Sequence, residues 1–144
     1  MKNTELSVID GTDAILGRLA SRVALRLIRG DSISIVNVER MVITGRKKSI
    51  VEKFERRIGL HGKGNPEKGP KFPKMPHQLV KKSIEGMLPE KGRRTADALR
   101  RLKVFIGVPK ELEGKAKSLP EVQNALKQNF ITVAELCREL GAAW

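Results

Sequence analysis

Tyrosine is absent, aromatic residues of any kind make up only 3% of the chain, cysteine occurs once, and no apolar run approaches the length of a membrane span. Each shortage closes a class of function. A lone cysteine, Cys137, forms no internal disulfide, which argues against a stapled secreted scaffold. A span needs about 18 uninterrupted apolar residues, so any meeting with a membrane is through charge alone. Without an apolar core of signal-peptide type near the N-terminus, the protein is expected in the cytoplasm. Four Phe and one Trp, with no aromatic-bearing strand of the RNA-recognition kind, argue against base stacking as the dominant binding term. His61 and His77 have no cysteines at ligand spacing, so we expect no metal, no other cofactor and no small-molecule substrate.

What the sequence has in abundance is positive charge. Among 144 residues, 29 Lys and Arg face 16 Asp and Glu, a formal net charge of +13, while 40% hydrophobic content supports a folded body of one domain. Net charge of this size says more about partners than about fold, and a polyanion is the first suspect. The excess is concentrated: residues 1–40 hold six cations against five anions, residues 41–103 eighteen against six, and residues 104–144 five against five. A nearly neutral body carries a basic middle.

VID (8–10) reads as a short strand, Asp13 as the cap of a following helix, and Ile15, Leu16, Leu19, Ala20, Val23 and Leu27 as that helix's buried stripe, with Gly30 ending it. SISIVNV (32–38) has the β-branched character of a strand buried on both faces, which makes a βαβ unit and predicts parallel pairing. MVIT (41–44) reads as a short strand and residues from Thr44 to Ile58 as a second helix. GLHGKGNPEKGPKFPKMP (59–76) has four glycines and four prolines among eighteen residues, too many breakers for a regular element. It is expected to be a long basic loop, and loops of that length in compact domains are usually functional or disordered. Helical periodicity resumes over 76–88, a shorter helix follows through Ala96, Leu99 and Leu102, VFIGVP (104–109) is a strand candidate, and Ser118-x-x-Glu121 and Thr132-x-x-Glu135 have the form of capping boxes.

One stretch tempts an enzymatic reading. Gly11, Gly17 and Arg18 imitate a phosphate-binding loop between a strand and a helix, which would make the chain a nucleotide-dependent enzyme. The glycines are one residue too far apart, Arg18 replaces the lysine, and Leu19 stands where a hydroxyl should hold Mg²⁺. No nucleophile and base pair is visible either, and Cys137 falls on an apolar helix face as a small buried hydrophobe.

The cations themselves are better placed for a polyanion. At 100° per residue Arg18, Arg22, Arg26 and Arg29 fall within about 80° of each other on the first helix. Arg46, Lys47 and Lys48 stand at a helix start, where they oppose the macrodipole and gain nothing from their own helix. Arg57 ends that helix; His61, Lys63, Lys68, Lys71 and Lys74 follow on the loop; Arg93, Arg94, Arg100 and Arg101 bracket the shorter helix. These residues, with Arg18, Arg22 and Arg26, are the candidate RNA contacts. Folded RNA suits a Gly/Pro/Lys loop beside basic helices, because phosphates converge from several strands and shape is read. No helix-turn-helix, zinc finger or basic zipper points to DNA, yet a DNA-binding or regulatory RNA-binding module stays open as the alternative.

Three ordered motifs sharpen this. VIDGTDAILGRLAS (8–21), VITG (42–45) and IEGMLPEKGRRTADALRRLKVFIGVP (84–109) closely resemble the large-subunit ribosomal protein L-thirteen family, and the short lead before VIDGT resembles its archaeal and eukaryotic type. The resemblance implies an α/β fold in three layers, a central, mainly parallel four-stranded sheet flanked by helices. It further implies large-subunit ribosomal RNA and neighbouring large-subunit ribosomal proteins as partners, and a role in subunit assembly. Gly17-Arg18 then belongs to the family's LGRLAS signature, the glycine permitting close packing of the helix start and Arg18 meeting RNA phosphate.

Overall fold

The structure, a computed structural model, describes residues 6–89, 92–124 and 129–144. Glu90 and Lys91 of the third motif lie outside the described residues.

The chain begins with the expected βαβ unit: β1 (Leu6–Asp10), α1 (Leu16–Arg29) and β2 (Ser32–Val36). Alternation in β2 is what makes it a central strand. Ile33 and Ile35 point into the main core under α1, whereas Val36 joins a smaller cluster with Val8 and Leu112 on the opposite face. In α1, Leu16, Leu19, Ala20, Val23, Ala24 and Leu27 are all buried, the i, i+3, i+4 stripe read from the sequence. Its C-terminus closes as a Schellman motif: Gly30 at φ 110° donates to the Leu27 carbonyl and Asp31 to that of Arg26. A side chain at residue 30 would meet the left-handed penalty that glycine escapes.

Helices α2 (Lys47–Ile58), α3 (Pro76–Glu85) and α4 (Arg93–Arg100) follow, with β3 (Val42–Thr44) ahead of α2 and β4 (Leu102–Val104) behind α4; β5 (Phe130–Thr132) runs into α5 (Val133–Glu139). The main sheet is parallel with order β1-β2-β4. It therefore has three strands among the described residues rather than the four implied by the resemblance. Asn37, held at φ 55°, and a 3₁₀ turn over Val38–Arg40 redirect the chain after β2. β3 consequently leaves the sheet and pairs antiparallel with β5, Ile43 opposite Ile131. At the open edge of β1 there is a single parallel bridge, Ile9 to Lys117.

Layering differs as well. Helices α1, α3 and α5 pack into the main core, but the second face of the sheet is covered by Phe105, Leu112 and Ala116 from a segment whose only helical turn is 3₁₀. The strand expected at 104–109 lies earlier, at 102–104, because Gly107 turns the chain at φ 69°. Residues 59–75 contain no α-helix or strand, only a 3₁₀ turn at Pro66–Lys68 capped by the Asn65 side chain. The Thr132–Glu135 capping box is complete, with side-chain and backbone bonds in both directions, whereas no side chain caps the turn after Ser118.

Asp13 does not cap α1. It sits at φ 55°, and the N-cap position is Ile15. Of the two glycines in this segment, Gly11 is the one demanded by packing: a Cβ there would lie 2.9 Å from Met41 Cγ and 3.1 Å from the Val36 carbonyl oxygen. At Gly17 a Cβ would meet nothing within 4 Å, so the close approach expected there belongs to Gly11. The pseudo-phosphate loop is in fact a tight turn, in which Asp10 Oδ1 accepts from the Thr12 amide, the Thr12 hydroxyl and Asn37 Nδ2 at 2.8–3.0 Å. Burial pushes the Asp10 carboxyl up, but these bonds and the charge of Arg40 outweigh it and hold it below the usual carboxylate value.

Candidate nucleic-acid interface

The sixteen candidate residues fall into settings that differ in how much of their charge is free. On α1, Arg18 is exposed, Arg22 pairs with Glu121 at 2.9 Å, and the half-buried Arg26 pairs through Nε with Asp31 at 3.1 Å. Two of the four arginines of the stripe are thus already balanced by the protein's own acids. Arg22, Arg26 and Arg29 also line one cavity with Leu25, whose side chain is 53% exposed.

Arg46 is the N-cap residue of α2, without a side-chain cap for the helix's first amides and with no acid in the first turn. Free amides and an exposed guanidinium at one helix start suit an anion. Lys48 is exposed beside them. Lys47 is committed differently: its ammonium lies 3.0 Å from Glu139, and the hydrogen bond to that carboxylate, followed by its charge, raises the lysine above its ordinary pKa. The surface around Lys47 and Lys48 further includes Glu52 and Glu55, so its field is mixed.

Arg57, at the end of α2, lies over the Phe54 ring with its guanidinium carbon 5.5 Å from the centroid. His61, Lys63, Lys68, Lys71 and Lys74 are all exposed on the 59–75 connection, and none of them is in an ion pair with a described residue. Arg93 and Arg94 are exposed in the first turn of α4, and Arg100 holds Asp97 at a loose 3.5 Å.

Arg101 is the exception in the set. It is half-buried and donates from Nη2 to the Leu27 carbonyl at 2.8 Å, tying β4's start to the end of α1, while its Nε is buried without a hydrogen-bond partner among the described residues. A cation at a helix C-terminus is also favoured by the dipole. Its guanidinium joins Arg94 in lining a cavity of about 340 Å³ with Ile28 and Leu88.

Sequence reasoning left Lys82, one of the cations of the basic middle, out of the candidate contacts and missed Phe54 and Phe72; the fold brings all three to the recess that Arg57 lines. Their joint position depends on how the 59–75 connection folds back, for which no local pattern gives a signal. Among the described residues no group of three His, Cys, Asp or Glu is placed to hold a metal ion, and no helix is long and apolar enough to cross a membrane.

Comparison with known proteins agrees with this basic surface. A family model described as ribosomal protein L13 matches residues 4–111. The chain is 43% identical to the large ribosomal subunit protein uL13 of Methanocaldococcus jannaschii, over 95% of this chain and 98% of that one. With the protein of the same name from Archaeoglobus fulgidus it shares 41% identity, over 95% and 88%, and with that of Haloarcula marismortui 37%, over 94% and 90%. A nearly full-length match at this identity, on a chain whose three signature motifs lie in the βαβ turn, β3 and the α3–β4 region, makes the protein a member of the ribosomal protein L13 family, of archaeal type.

Proposed function

We propose that the chain is a structural constituent of the large ribosomal subunit, that it binds large-subunit ribosomal RNA through phosphate contacts, and that it supports assembly of the subunit in the cytoplasm. The whole of residues 1–144 acts as one RNA-binding domain, with neighbouring large-subunit proteins on the faces that RNA leaves free. The observation that carries this reading is the set of exposed cations without an acidic partner among the described residues: Arg18, Arg46, Lys48, Lys63, Lys68, Lys71, Lys74, Arg93 and Arg94. A solvated surface that served only solubility would gain from interspersed acids, as it does at Lys47 and Arg22. Cations left unneutralised over a long stretch of chain repel each other until a polyanion meets them.

The long basic loop, 59–76, is the part that reaches between RNA strands, and Arg57, His61 and Arg100 contribute at its borders. Arg22, Arg26 and Lys47 contribute by exchanging their present carboxylates for phosphate, and Arg101 by its one half-exposed edge. Binding releases condensed counterions, so log K falls with log salt by about 0.7 to 0.9 per phosphate contacted.

A salt titration of binding to large-subunit rRNA fragments, run beside transfer RNA and duplex DNA as competitors, tests the reading. One rRNA fragment is expected to stay bound at salt concentrations that strip off both competitors. Release of all three polyanions together would leave the charge without specificity and defeat the ribosomal assignment.

A further inference from the structure

Two of the chain's four phenylalanines meet in one place. Phe54 of α2, partly buried against the main core, and Phe72, half-buried on the connection to α3, line a recess of about 120 Å³ together with Pro73 and Leu79. Arg57 and Lys82 complete the lining, the guanidinium of Arg57 held there by its position over the Phe54 ring. Ligand cavities for whole small molecules run from about 300 to 1,000 Å³, so this one admits a single planar group and no more. On the chain, Phe72-Pro73 is bracketed by Lys71 and Lys74, both exposed.

Aromatic walls, a stacked guanidinium and flanking ammonium groups are the chemistry by which proteins hold an unstacked base of an RNA strand: the ring provides the π-face, and the cations meet the phosphates on either side. We infer that the Phe54–Phe72 recess is a subsite for one nucleobase extruded from the RNA, stacked on Phe72 and Arg57, with Lys71 and Lys74 on the adjoining phosphates. This rests on the RNA-binding reading and adds to it a contact that charge alone does not provide. It is compatible with the expectation that stacking does not dominate binding: aromatics too few to read a strand are enough to clamp one base. Lys82, now held by Glu85 at 3.1 Å, lies at the same recess and adds positive potential there.

The experiment compares the intact chain with Phe72→Ala, Phe72→Leu and Phe72→Tyr in binding to full-length large-subunit rRNA across a salt series. Alanine substitution at a base-stacking residue costs about 5- to 150-fold in affinity. Phe72→Ala is expected to lose within that range at every salt concentration with an unchanged salt slope, Phe72→Tyr to bind as the parent chain does, and Phe72→Leu, which keeps the apolar anchor of the connection but no π-face, to behave like Phe72→Ala. Parent-like binding by Phe72→Leu, or a shallower slope for Phe72→Ala, would reduce Phe72 to a structural anchor and overturn the inference. A second arm does not depend on ribosomal RNA. In an NMR titration, the ring signals of Phe54 and Phe72 are expected to shift with adenosine or uridine monophosphate and not with ribose 5-phosphate; an equal response to all three, or none that depends on the base, overturns the subsite. Failure of the parent chain to bind the rRNA, with base-dependent shifts intact, would strike the ribosomal reading and leave the subsite standing.

Discussion

Replacing Lys63, Lys68, Lys71 and Lys74 together by glutamine separates the charge of the 59–75 connection from everything else the protein does. All four ammonium groups are exposed, and none is in an ion pair with a described residue. Their removal therefore orphans no acid partner among those residues and costs the fold no packing. If each lysine meets one phosphate, four contacts at about 0.7 to 0.9 each remove about 3 from the slope of log K against log salt. Between about 50 and 200 mM salt that slope alone corresponds to roughly 60-fold in affinity, so the variant should lose about 60-fold less than the parent chain over the same interval. Filter binding to a large-subunit rRNA transcript at several salt concentrations reads both lines. Thermal melting of the free variant should be unchanged or slightly raised, because like-charge repulsion is relieved. Parallel lines for parent and variant would refute the assignment of this connection to RNA. So would a clear fall in melting temperature, which would make the lysines structural.

Three further outcomes follow from the geometry. Thr132→Ala removes a capping box from α5, a seven-residue helix that buries Val133, Leu136 and Cys137, and should cost about 1 kcal/mol, read as a fall of about 2 to 4 °C in Tm for a chain of this size. Asp10, held below the ordinary carboxyl value of 3.8, binds its proton more weakly in the folded state; its contribution is complete above pH 3.8 and is lost as the pH falls through the lower folded value, so denaturant titrations of Asp10→Asn should show a weaker loss of stability below that pH than the parent chain. The Cys137 thiol, raised by burial to about 11 from 9.0, should resist iodoacetamide in the native state at pH 8 and react promptly once denatured; stability should decline as the pH rises from about 9 toward 11, where the unfolded thiol ionises first, and rapid native alkylation would contradict the burial.

Where the sequence was legible, local periodicity and elementary sterics decided the outcome. The stripe of α1, its glycine stop and the parallel βαβ unit needed only the spacing of Leu16, Leu19, Val23 and Leu27 and the β-branched run of β2. The errors share a cause in non-local geometry. Asp13 has the chemistry of a cap, but the turn that Asp10 organises forces it into a left-handed conformation. Gly17 carries the family signature, yet the backbone approach that requires glycine is at Gly11, against Met41 and β2's end. β5 has three residues and ends on Thr132, which caps the next helix, so it offers no period to detect. Its partner β3 leaves the main sheet at a turn set by Asn37 in the left-handed region, a signal hidden within the β-branched run of SISIVNV. The candidate cations were legible as a set because composition alone reveals an excess in the middle of the chain. Which of them are free was not, since Glu121 and Glu139 reach Arg22 and Lys47 from far along the sequence, and Arg101 is drawn inward by the Leu27 carbonyl.

Sedimentation tests the ribosomal assignment most directly. A tagged copy of the full chain, expressed in an archaeal cell and followed through a sucrose gradient, should travel with the large ribosomal subunit, remain there through a moderate-salt wash, and be released when the RNA is digested by nuclease. Recovery at the top of the gradient before any digestion, or equal division between the large and small subunits, would contradict the account.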